Sequence, residues 1–336
     1  MQYGIRDGML TRISDMGATH ETDSRDASEF SEVRQRAFRT LNATPRSTLH
    51  PNVEFIYHIR PEFPSYLVEF SKRELSEAAS LWNDFFDRKI QVDVYLVTEK
   101  DREYIKSNRW LQGNLPNVFD RFDSKRERPF ISGGGGYWNT DGRWSGNIFL
   151  ATASYLNLNY VNYEWAQVAK HEFVHVAQDY GFYGNLKERN WNELQVVQPQ
   201  HFREGAGNSI SYLTAFRNIG WSADAMDWLV WQRARYSQNW IKINSQEDVI
   251  KMMRATELNK PDPAFEMSYA IGALMYEWFI YEYGFDAFKK YIKATKDAVN
   301  FDSALMSAIG IGKEEFYKRS APYVYSVFQR IQPYGN

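Results

Sequence analysis

His171, Glu172 and His175, within VAKHEFVHVAQ (residues 168–178), are the side chains of this sequence whose types and spacing best suit joint chemistry. Residues four apart on a helix leave nearly the same face, so His171 and His175 can bring two imidazole nitrogens to one metal ion. Glu172 is offset by about 100° around the helix, close enough to address a water at that ion without being a ligand. Imidazole suits zinc, and a zinc ion with an open position activates water for attack on a carbonyl. The pattern carries that meaning only if the segment is helical and a further ligand lies within reach.

The flanking residues predict a helix. Trp165, Val168, Ala169, Phe173, Val176, Ala177 and Tyr180 recur near the 3.6-residue period and offer an anchoring face. A catalytic zinc needs a third protein ligand and keeps one position open. The chain has no Cys, so disulfides, thiolate ligands and Cys nucleophiles are excluded and the ligand must be His, Asp or Glu. Downstream candidates are Glu188, Glu193, Glu204 and His201. Glu193 follows His175 after 17 intervening residues and Glu204 after 28, and spacing leaves the choice open.

Lys and Arg number 40 against 42 Asp and Glu, a balance that supports neither wholesale nucleic-acid binding nor an acidic tail, so no nucleic-acid partner is expected. The 22 Tyr, 22 Phe and 11 Trp suit an aromatic core or an aromatic-lined cleft. No secretory signal is visible in the first 30 residues and no stretch reaches the ~20 apolar residues of a membrane span. A cytoplasmic location is the default expectation, with export by a noncanonical route left open.

Three regions are expected. Residues 1–50 read as a polar, loosely attached N-terminal extension with a short helix at EVRQRAF, or as a propeptide. Residues 51–180 read as an α+β part: strands at NVEFIYHI, QVDVYLV and NIFLATA, a helix over YLVEFSKRELSEAASLWNDFF, and the histidine-bearing helix at its end. Gly133–Gly136 read as a loop leading into NIFLATA, either a plain connection or one wall of a cleft with an exposed edge. It lacks the flanking features of a Walker loop or a dinucleotide fingerprint. Residues 181–330 read as helical, with Ser222 and Asp302 as polar helix entries and Gly284 and Gly310 as stops.

KHEFVHVAQ followed by FREGAGNSISY resembles the gluzincin metallopeptidases, in particular the peptidase MA-like group, whose members carry HExxH followed by Gln and later a Glu-Gly-x-Ala segment. The likeness extends through the order of elements from about residue 52 to 325 and is strongest over 168–212. It implies an α+β, zincin-like fold with a mixed sheet in the N-terminal part and a helical C-terminal part. It also implies Zn2+ held by His171, His175 and Glu204, with Glu193 in reserve, and a peptide or protein substrate. Glu172 would then take the proton from the attacking water and pass one to the departing amine. Tyr269, in EMSYAIG, stands at the family-like position of a donor to the developing oxyanion, with His201 and Tyr212 as alternatives. Gly207 stands where the family has Ala, and Asn208 where an acidic residue that raises ligand basicity is frequent. Arg203 reads as a surface residue paired with Glu rather than a clamp for a substrate carboxylate. A peptide-binding protein without turnover and a hydrolase of nonpeptide amides are the alternative functions.

Overall fold

The computed structural model describes residues 2–6, 9–13, 30–43, 50–114, 130–139, 142–152, 163–183, 190–215, 219–236, 243–257 and 264–331. In chain order the elements are β1 (Gln2–Arg6), β2 (Met9–Ile13), α1 (Glu32–Asn42), β3 (Val53–Ile59), α2 (Ser65–Leu81), β4 (Ile90–Thr98), α3 (Arg102–Ser107), α4 (Arg109–Asn114), β5 (Phe130–Trp138) and β6 (Trp144–Thr152). They continue as α5 (Tyr163–Tyr183), α6 (Trp191–Val197), α7 (Gln200–Ala215), α8 (Ile219–Tyr236), α9 (Gln246–Ala255), α10 (Ala264–Tyr283), α11 (Phe285–Ala294), α12 (Phe301–Ile309) and α13 (Lys313–Ile331). The N-terminal half thus carries a four-stranded mixed sheet and the C-terminal region is largely helical, an α+β fold. The chain divides into two compact units, Arg46–Tyr180 (with Met1) and Gln2–Pro45 together with Gly181–Asn336.

In the first unit the sheet order is β3-β4-β6-β5, with β3, β4 and β6 parallel and β5 antiparallel to β6. The second half of the inner strand β4 is apolar on both faces, as a covered parallel strand must be, while Gln91 and Asp93 make one face of its first half polar. Val92, Val94 and Leu96 point one way, while Tyr95 and Val97 point the other, into a small core with Ile105, Leu111, Phe149 and Ala151 from α3, α4 and β6. Helix α5 covers the Val92 face. Phe173 packs beside Phe55 and Phe86, and Val176 lies where a side chain on Gly146 of β6 would have to go. Lys170 ties α5 to α2, donating to Glu77 at 2.9 Å and lying 2.9 Å from the Glu74 carboxylate.

The glycine run is strand, not loop. Gly133–Gly136 lie inside β5, in register with Phe149 to Gly146 of β6. Alternation puts Ser132 and Gly134 opposite Leu150 and Ile148, on the sheet face that α5 covers. At Gly134 an added Cβ would sit 2.3 Å from the backbone oxygen of Glu172, so only glycine lets the strand lie this close to the helix.

The second unit begins with the antiparallel hairpin β1–β2 and α1. Helix α1 is not loosely attached. The Arg34 guanidinium, 1% exposed, makes a two-point contact with the buried Glu277 of α10, at 2.8 and 2.9 Å, and reaches Asp227 of α8 at 2.6 Å. Tyr323 of α13 donates to the same Glu277 at 2.5 Å. Elsewhere in this unit, Phe202 of α7 meets Tyr291 and Phe301 at ring distances of 4.8 and 5.1 Å, and Tyr276 meets Phe288 edge-on at 4.4 Å. Helices α7 and α10 cross backbone to backbone at Gly205 and Gly272, where a Cβ on Gly205 would fall 2.2 Å from the Gly272 carbonyl carbon. Ser222 lies buried within α8 rather than at its start. Asn300 caps α12 in a reciprocal box with Ser303, leaving Asp302 in the first turn, and Gly310 closes that helix.

Breaking a buried ion pair from one side leaves the other charge uncompensated. Arg34→Met is therefore expected to lower the stability of this unit by about 3–5 kcal/mol in urea unfolding. Arg34→Met combined with Glu277→Gln is expected to recover part of that loss.

Candidate metal centre

Helix α5 presents His171, Glu172 and His175 together, all buried, with one candidate ligand atom from each lying within 4.8 Å of the others. The two imidazoles converge. His171 Nε2 and His175 Nε2 are 3.0 Å apart, and the rings stand edge to face at 83°. Two nitrogens bound to one tetrahedral zinc at about 2.0–2.1 Å would be about 3.3 Å apart, so the pair fits such an ion after a shift of a few tenths of an ångström. His175 Nδ1 lies 2.7 Å from Gln178 Oε1, an acceptor, which assigns the hydrogen to Nδ1 and leaves the Nε2 lone pair directed at His171. Partners of this kind orient metal-binding histidines.

Glu172 is held differently. Its Oε1 accepts from the Ser132 hydroxyl of β5 at 2.7 Å. The far end of α5 is fixed to the same strand, because Gly136 N–H donates to Asp179 Oδ2 at 2.9 Å. Tyr180 donates to Asp87 and sits among Phe85, Phe86 and Trp144; burial beside that carboxylate pushes the phenol well above its ordinary range. The helix is thus pinned in rotation and in position along its length. In the sequence Gln178 is only the closing letter of the KHEFVHVAQ resemblance, with no role attached, and Ser132 stands in no motif. Gln178, three residues beyond His175 and hence on its face, carried a usable signal; Ser132, remote in sequence, carried none.

The remaining candidates lie in the second unit. Glu204 is half-buried on α7. Glu193 is exposed in the first turn of α6, where its backbone N–H and carboxylate are both engaged by Asn190. Glu188 falls outside the described residues. His201 is fully buried with both ring nitrogens engaged, Nδ1 to the Thr256 carbonyl at 3.2 Å and Nε2 to the Tyr317 hydroxyl at 3.1 Å. That occupancy suits a structural histidine. Arg203 is buried, not a surface residue; its guanidinium stacks 5.0 Å from the Trp191 ring centre. Tyr269 lies under Arg233, 4.5 Å from guanidinium to ring, and Tyr212 is buried in α7. The Asn208 amide donates to the Tyr269 carbonyl at 3.4 Å, and Gly207 is buried beside it in α7.

No protein-family profile matches the chain, and comparisons with curated proteins and with solved structures gave no significant match. Among the described residues no helix is long and apolar enough to cross a membrane.

Gly134→Ala is expected to cost about 1–3 kcal/mol through overpacking, because the obstacle is backbone and cannot rotate away. Thermal unfolding beside a Ser132→Ala control measures it. His201 gives a separate test. Burial lowers its pKa from 6.5 to about 3, an effect Lys313 adds to and the Thr256 carbonyl opposes. Below pH 6.5 the unfolded chain takes up a proton that the folded chain refuses until about pH 3, so stability falls as pH drops through that window. Between pH 7 and 5 His201→Gln is expected to lose roughly 2 kcal/mol less stability than wild type in urea unfolding.

Proposed function

We propose that the protein is a zinc-dependent peptidase of the gluzincin type. The observation that carries this reading is the convergence of His171 Nε2 and His175 Nε2 at 3.0 Å, with the Glu172 carboxylate beside them. The resemblance of FREGAGNSISY to the Glu-Gly-x-Ala segment of the gluzincins supports Glu204 as the third ligand. A bound zinc ion supplies Lewis-acid polarisation of the scissile carbonyl and acidifies water.

The chain's own residues supply the rest. Gln178 holds His175 in the tautomer that offers its Nε2 lone pair. Glu172, with one oxygen occupied by Ser132, presents the other to take a proton from the attacking water and return one to the departing amine. Tyr269 is proposed as the donor to the developing oxyanion. Among the described residues strand β5 forms an edge of the sheet, and an extended peptide can pair along such an edge, which favours a peptide or protein substrate. Asn208 cannot raise ligand basicity as a carboxylate would. It therefore favours a second reading, a zinc-loaded peptide-binding protein without turnover.

Zinc content and casein hydrolysis, measured in wild type, Glu172→Gln and Glu204→Gln, separate these readings. The peptidase is expected to hold zinc in wild type and Glu172→Gln, with turnover reduced about 100-fold or more in the latter, and to lose zinc affinity in Glu204→Gln. Zinc-loaded wild type that fails to cleave supports the binding protein. Equal, chelator-insensitive hydrolysis in wild type and Glu172→Gln overturns the mechanism.

A further inference from the structure

We propose that Ser132 is a positioning residue for Glu172, holding the carboxylate in the one orientation that leaves its second oxygen for the reacting water. The proposal rests on the peptidase reading above and adds a residue from outside the HExxH helix. The contact is 2.7 Å from Ser132 Oγ to Glu172 Oε1, across 40 residues of sequence. Among the described residues Ser132 is the one hydrogen-bond partner of that carboxylate.

A glutamate side chain has three rotatable bonds, and a base that samples several rotamers spends only part of its time aimed at the water. One charge-assisted hydrogen bond fixes the direction of the group. A carboxylate accepting two or three such bonds becomes a poor base, whereas one bond leaves an oxygen free. The backbone makes this single contact possible. Ser132 and Gly134 occupy the same face of β5, and Gly134 lets the strand approach until its missing Cβ would be 2.3 Å from the Glu172 carbonyl oxygen. Gly136 N–H binds Asp179 two turns further along α5, fixing the angle at which the strand meets the helix. Ser132 therefore reaches Glu172 from a support that cannot drift.

The experiment uses the full-length chain loaded with zinc and a quenched-fluorescent peptide chosen because wild type cleaves it. Ser132→Ala, Ser132→Thr, Glu172→Gln and the Ser132→Ala/Glu172→Gln double variant are compared for kcat, KM and zinc content. Ser132→Ala is expected to lower kcat about 10- to 100-fold with KM and zinc content nearly unchanged. Ser132→Thr, which keeps the hydroxyl, is expected to recover most of the loss. The double variant is expected to match Glu172→Gln, because a residue acting through Glu172 has nothing left to position. In zinc-free protein the same two substitutions are expected to be non-additive in unfolding midpoint, a readout independent of turnover.

Wild-type turnover that Glu172→Gln abolishes and Ser132→Ala leaves within twofold overturns the role of Ser132 while sparing the peptidase reading. A Ser132→Ala loss accompanied by loss of zinc, or a double variant with independent losses, also overturns it. Zinc-loaded wild type that cleaves neither casein nor any peptide overturns both.

Discussion

The approach of β5 to α5 is the constraint on which the candidate centre depends. An edge strand normally keeps a side chain's distance from a helix covering its sheet. Here Gly134 removes that distance, and the Glu172 carbonyl oxygen occupies the space a Cβ would take. Ser132 can then reach Glu172, and Gly136 can reach Asp179, so one strand holds the helix at two heights. The aromatic packing of Phe173 and Tyr180 and the buried Lys170 fix the rotation of α5 that points His171 and His175 toward each other. If the strand stood back, His171 and His175 would still share a helix face, but the Glu172 carboxylate would lose its anchor.

The second unit depends on a different interaction. Glu277 is a buried carboxylate among the apolar residues of α10, and its charge is met by Arg34 from α1 and by Tyr323. Desolvation opposes a charged arginine here, yet Asp227 and Glu277 together hold its pKa above the ordinary value. The aromatic cluster around Phe202 and the glycine crossing of α7 and α10 then set the course of the helix that carries Glu204. Gly205, part of the segment that resembles the gluzincins, thus has a packing reason of its own, and resemblance there is weaker evidence of chemistry than it is at His171 and His175.

Much of the first unit was legible in the sequence because its elements announce themselves locally. The strands at 53–59, 90–98 and 144–152 are rich in β-branched and aromatic residues, and α5 shows its apolar period throughout. The glycine run was misread for a physical reason: four residues without side chains carry no alternation, so they look like a turn whether or not a partner strand lies beside them. Arg203 was misread because a guanidinium that stacks on Trp191 has the same letter as one in water. Residues 1–50 looked polar, and polarity in one dimension cannot show that Arg34 has a buried partner 243 positions away.

Local sequence is enough to make α5 a helix, to set His171 and His175 on one face with Glu172 adjacent, and to rule out a thiolate beside them. These follow from the 3.6-residue period and from composition. Tertiary packing alone fixes which oxygen of Glu172 is occupied and that β5 supplies the occupant. Those facts depend on the register of β5 against β6 and on how closely two backbones approach. Neither is a property of any segment alone; both arise where the missing Cβ of Gly134 meets the carbonyl of Glu172.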